Sequence, residues 1–159
     1  MAGLYTMQNL IREIEIDIES MKIIANDINY LLNSVSNIEP NNIHKTALGG
    51  LASQFYNGVE NILKRFLKFR KQAVPIGNDW HIKLLNMFSK KSESIFVFDE
   101  KLIQKLNDYR RFRHYFFHGY SHNLNWEILK DGVIDIQDVL NEFIDEVNIN
   151  LKILNSKSL

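Results

Sequence analysis

Apolar side chains recur at steps of three and four residues through Ile11, Ile14, Ile18, Met21, Ala25, Ile28, Leu32 and Val35, the spacing that lines one face of a helix. One long amphipathic helix over residues 6–35 is predicted. Pro40 closes the connection that follows. Leu48, Ala52, Phe55, Val59, Ile62, Phe66 and Phe69 then restart the spacing in a second helix that must end before Pro75. Gly49 and Gly50 fall inside it, and a helical glycine costs about 1 kcal/mol relative to alanine, so the pair implies a close backbone approach or a kink. A shorter helix from Asp79 to Lys90 leads into an exposed loop, "KKSES", residues 90–94. Asp99 caps a fourth helix carrying Leu102, Leu106, Tyr109, Arg113 and Phe116, with Gly119 placed as the left-handed residue that ends it. "LKDGVI", residues 129–134, reads as a small Asp-Gly hairpin or a loop. Asp135 then caps a last helix through Leu140, Ile144, Val147, Leu151 and Leu154. The pattern predicts an all-α bundle of four to five helices, one domain over residues 1–159.

Composition narrows the chemistry. The chain has no cysteine, which removes disulfides, thiolate zinc sites and cysteine nucleophiles. No stretch approaches the roughly 20 apolar residues of a membrane span, and the first residues lack a basic region followed by an apolar core. A cytoplasmic protein without a membrane partner is expected. The formal net charge is zero but unevenly spread: residues 1–63 hold 3 basic and 7 acidic side chains, residues 64–113 hold 13 and 5, and residues 114–159 hold 3 and 7. The middle of the chain can offer a positive field to a polyanion while the molecule stays neutral, although basic residues near helix C-termini also simply favour the helix dipole.

The densest chemistry is "RRFRHYFFHGY", residues 110–120, on the fourth helix. Arg113 stands on the apolar seam, where an unpaired guanidinium is strongly unfavourable. It therefore meets an acid of the fold, such as Asp108 or Glu127, or lines a cleft where an anion completes it. His118 falls where the helix stops, beside unpaired carbonyls that favour a cation, and can act as a general acid or base or simply as a helix cap. On an ideal helix the two lie about 140° apart, so the arginine must reach round or the last turn must loosen for both to meet one substrate. A cleft at a two-fold axis would ease this. His114 and His118, four apart, could offer two imidazoles to a metal, with His122 extending the series, but Gly119 interrupts the helix and the nearby arginines repel a cation. "KRFLKFRK", residues 64–71, is either a phosphate-tracking run or a solvated helix end whose phenylalanines are core.

Arg113 to Tyr120, "RHYFFHGY", has the form R-x4-H-x-Y and resembles the HEPN superfamily, specifically the HepT-like toxins encoded beside a minimal nucleotidyltransferase antitoxin. The resemblance implies a HEPN-like helical bundle and a homodimeric, metal-independent RNA endonuclease needing no cofactor, with arginine and histidine from both subunits lining a shared cleft. Arg113 and His118 would be the catalytic pair. The residue after the motif arginine is frequently asparagine in that family; His114 stands there as a helper able to donate and accept. Tyr120 matches the tyrosine that the partner enzyme modifies with AMP. Arg110 and Arg111 are the expected contacts to RNA backbone. The alternative is a catalytically silent module of the same fold that binds a partner protein or a nucleotide.

Overall fold

The computed structural model describes residues 3–90, 92 and 95–157. Its elements are α1 (Met7–Ser34), α2 (Asn42–Phe69), α3 (Trp80–Asn86), α4 (Glu100–His118), α5 (Trp126–Asp131) and α6 (Ile136–Lys157), with a single 3-10 turn at Ser121–Asn123 between α4 and α5. The described residues are 74% helix, with no strand among them. The four long helices close a ring: α1 packs on α2 and α6, and α4 packs on the same two from the other side. The short α3 bridges α2 and α4. This is the all-α bundle that the pattern predicts.

Local chemistry sets the helix starts. Thr6 caps α1, its hydroxyl accepting from the Asn9 backbone N–H while the Asn9 side chain accepts from the Thr6 N–H. Asn41 caps α2 through the backbone N–H groups of Ile43 and His44. Asp99 caps α4 as predicted, accepting from the N–H of Lys101 at 2.9 Å and Leu102 at 3.3 Å. Asp135 directly precedes α6 and its carbonyl accepts the Val139 N–H.

Burial follows the predicted seams with informative exceptions. On α1, Leu10 is buried and Ile11 lies outward, so the seam begins one residue earlier than the spacing suggests. On α2 two adjacent stripes are buried: the predicted one, and a second through Tyr56, Glu60, Leu63 and Leu67. The double stripe follows from the position of α2, which contacts α1, α3, α4 and α5. The basic run at the end of α2 is largely occupied within the fold. Arg65 pairs with Glu13 and Asp17 of α1, Lys64 lies over Trp80, Lys68 lies over Tyr5, and Phe66 is core. Burial, followed by the Glu13 carboxylate, pushes Tyr5 up to about 12, so its phenol stays an O–H donor to Glu13 across the physiological range.

Three local expectations are corrected. α3 ends at Asn86 rather than Lys90, its last turn giving way to the buried Phe88. Lys91, Glu93 and Ser94 of the loop expected there lie outside the described residues. No hairpin forms at 129–134: the segment is the end of α5, and Gly132 is right-handed at φ −67°, capped back onto Ile128 and Lys130. Gly119 is not left-handed but extended, at φ −108° and ψ 160°. What requires glycine there is closeness, since a Cβ would stand 3.2 Å from the Tyr115 carbonyl and 3.3 Å from Leu124. Leu124 is buried and packs close to this glycine.

Of the adjacent glycines in α2, Gly49 is a close approach. A Cβ built there would fall 2.1 Å from the Phe116 ring, whereas Gly50 faces open space. Phe116 of α4 is thereby seated directly on the backbone of α2.

Candidate active site

The C-terminal half of α4 emerges from the core after Tyr109 and Phe112, both buried. Arg113 continues the seam where the apolar neighbours run out, and there it meets α3. Its Nη1 lies 3.3 Å from His81 Nε2 and 3.5 Å from His81 Nδ1. Near-equal distances to both ring nitrogens mean that the guanidinium rests against the imidazole rather than on one lone pair. On its other side the guanidinium carbon is 5.4 Å from the centre of the Phe117 ring. Arg113 Nε is buried and has no hydrogen-bond partner among the described residues.

Among the described residues Arg113 makes no ion pair with Asp108 or Glu127, and Glu127 pairs with Lys130 at 2.7 Å. The carboxylate behind the imidazole is Glu60, on the second stripe of α2, 2% exposed, with Oε2 at 2.5 Å from His81 Nδ1. A carboxylate oxygen accepts, so this contact assigns the hydrogen to Nδ1. The order across three helices is Glu60, His81, Arg113. One turn before Glu60, the Tyr56 hydroxyl is buried with no hydrogen-bond partner among the described residues, and burial followed by the Glu60 charge holds its pKa above the ordinary range.

Above this chain lies an open cleft of about 720 Å³, lined by His81, Ile82, Arg110, Arg113, His114, Phe117 and His118, with Asn78 and Asp79 at its rim. Arg113 and His118 therefore reach one cleft despite the steep angle between them, because Arg113 extends toward α3 while His118 is the last residue of the helix. His114 lines the cleft too, its ring centre 4.2 Å from that of His118. Arg110 does so as well, its Nε donating to Asn107 at 2.8 Å. Arg111 is exposed and outside the cleft lining. Tyr120 is 74% exposed just past α4, its ring stacked on His122 at 5.8 Å, also outside the lining. Among the described residues no three of His, Asp and Glu are clustered to hold a metal ion.

His81 and Glu60 are the site residues that sequence reasoning misses. For Glu60 a signal exists: it keeps three- and four-residue steps with Tyr56, Leu63 and Leu67, so an acid on an apolar stripe marks a buried partner.

An all-α bundle with R-x4-H-x-Y closing its fourth helix over a basic cleft defines a module of the HEPN type. A family model described as HepT-like protein matches residues 47–152, and the chain belongs to that HepT-like HEPN family. The match spans α2 to α6 and so contains every residue of the cleft. The family is associated with toxin and nuclease modules. Searches of curated proteins and of solved structures gave no match. Among the described residues no helix is long and apolar enough to cross a membrane.

Proposed function

We propose that the protein is a metal-independent RNA endonuclease, the toxin of a toxin–antitoxin pair. The observation that carries this reading is the convergence of Arg113 and His118 on one cleft, with Arg110 and His114 beside them. RNA brings its own nucleophile. Attack of the 2′-oxygen on the adjacent phosphorus forms a five-coordinate phosphorane, and departure of the 5′-oxygen leaves a cyclic 2′,3′-phosphate and a free 5′-hydroxyl. Such a reaction needs a group that moves a proton and a fixed cation over the charge that develops on the phosphorane. His118 supplies the first, Arg113 the second, and His114 can donate to or accept from the same phosphate. Arg110 and Arg111 track the flanking backbone. Purified protein is expected to cleave single-stranded RNA in the presence of EDTA and to leave those ends. Intact RNA under these conditions would leave the silent binding module as the better reading, and activity recovered only with added divalent metal would move the chemistry to His114 and His118.

The active form is a homodimer, with the cleft closed by a second copy. Phe117 supports this reading: it is 62% exposed beside Arg113, an apolar ring left on the rim of a charged site. Phe116 is seated on Gly49 of its own chain and reports on folding instead. Phe117→Glu is expected to shift the light-scattering mass from dimer to monomer and to abolish cleavage with little change in the thermal midpoint. A wild type that is monomeric at micromolar concentration would remove the shared cleft.

Neutralisation is assigned to a minimal nucleotidyltransferase that transfers AMP to Tyr120. The exposure of Tyr120 makes its phenol reachable, and an attached phosphate near the arginines would compete with RNA for them. Co-expression with that enzyme is expected to add AMP to Tyr120, read by intact mass and peptide mapping, and to suppress RNA binding. Tyr120→Phe should escape. Adducts on other residues, or a Tyr120→Phe protein still silenced by AMP transfer, would refute this mode of control.

A further inference from the structure

Outside the motif, the same cleft is lined by His81, with Glu60 behind it. Glu60 is a carboxylate sealed inside a helical bundle, and a buried charge persists only where a partner compensates it. Among the described residues it makes no ion pair with Arg113, and its contact is His81. His81 in turn is fixed on three sides. Glu60 holds Nδ1, the Trp80 ring stacks on it with centres 3.7 Å apart, and the guanidinium of Arg113 rests against the remaining face or edge. Lys64 Nζ lies over the Trp80 ring, 4.3 Å from its centre.

We propose that His81 is a positioning residue for Arg113, a wall anchored by Glu60 that holds the guanidinium toward the cleft; its consequence for catalysis rests on the nuclease reading. A long arginine side chain has several rotatable bonds and, unheld, spreads its charge over many places. Transition-state stabilisation needs it in one place before the reaction begins. The negative charge of Glu60, transmitted through a hydrogen-bonded imidazole, opposes the positive charge of Arg113 without touching it. A direct carboxylate contact would occupy the guanidinium that the phosphate must use. His81 separates the two, so the guanidinium that lines the cleft is not taken up by a carboxylate. A tie that served only to dock α3 on α2 would need the Glu60 contact and no ring against the arginine.

His81→Asn separates these roles, since asparagine can keep an N–H toward Glu60 while removing the ring. It is expected to lower kcat by about 10- to 100-fold, with KM changed far less, and to keep the helical circular dichroism of the wild type. In an Arg113→Lys background, chosen for residual activity, the same substitution should cost no more than about threefold, because its effect passes through the arginine. Wild-type kcat in His81→Asn, or an undiminished loss in the Arg113→Lys background, overturns the proposal. A wild type that cleaves no RNA overturns the nuclease reading instead, and the positioning is then judged from nitrogen-15 spectra of the arginine side chains. Separate, slowly exchanging Arg113 Nη signals in the wild type that merge in His81→Asn support it, and identical spectra for the two proteins overturn it.

Discussion

Replacing His118 with alanine is expected to lower RNA cleavage by about 10²- to 10⁴-fold, the usual contribution of one positioned acid or base, and to leave the fold in place. The second half of that expectation follows from where the residue stands. His118 is exposed at the last position of α4 and lies against the His114 ring, so its removal opens no cavity and strands no buried partner. A change in stability within about 0.5 kcal/mol is appropriate for such a surface site. Arg113→Ala should silence the enzyme to a similar depth. It should also cost some stability, because the guanidinium is half-buried against His81 and Phe117. If both groups serve one transition state, the double variant should be scarcely worse than either single one. Initial rates on a fluorescent RNA, with thermal melts of each protein, test this. Undiminished cleavage by either folded variant would sink the assignment of that residue.

What the sequence makes legible depends on how far apart the interacting residues lie. The long helices announce themselves because each repeats its apolar steps over many turns, and Asp99 is recognisable because a cap acts within three residues. The R-x4-H-x-Y motif is equally local. By contrast, Glu60 and His81 are 21 positions apart and His81 and Arg113 are 32 apart, across three helices. α3 has seven residues, too few to display a period, so nothing local marks His81, and Glu60 is marked only by its place on the second apolar stripe of α2. Gly119 is legible as a helix end but not in its conformation, because its closeness to the Tyr115 carbonyl and to Leu124 is a contact that the spacing does not display. For the same reason the spacing of Arg113 and His118 raised an angular difficulty that an ideal helix could not answer. The reach of one long side chain toward α3 answers it.

The glycine pair in α2 links that fold to the site, and its two members should respond in opposite directions to the same change. Gly50→Ala meets nothing within 4 Å and is expected to stabilise the protein by about 0.5–1 kcal/mol, through better helix propensity and a less flexible unfolded chain. Gly49→Ala would place its methyl 2.1, 2.3 and 2.8 Å from three carbons of the Phe116 ring, closer than any real contact. The ring cannot yield at its tip alone, because the nearest atoms include Cγ, at the root of the side chain. Relief requires Phe116 to swing out or α4 to lift from α2, and overpacking of this kind costs about 1–3 kcal/mol, enough to outweigh the propensity gain. Phe116 lies between Arg113 and His118 on α4, so the same displacement should disturb the cleft and reduce cleavage beyond what the lost stability explains. Denaturant unfolding of the two variants beside the wild type, with rates measured well below their midpoints, tests both effects. Equal midpoints for Gly49→Ala and Gly50→Ala would mean that the Phe116 seat does not fix α4 against α2.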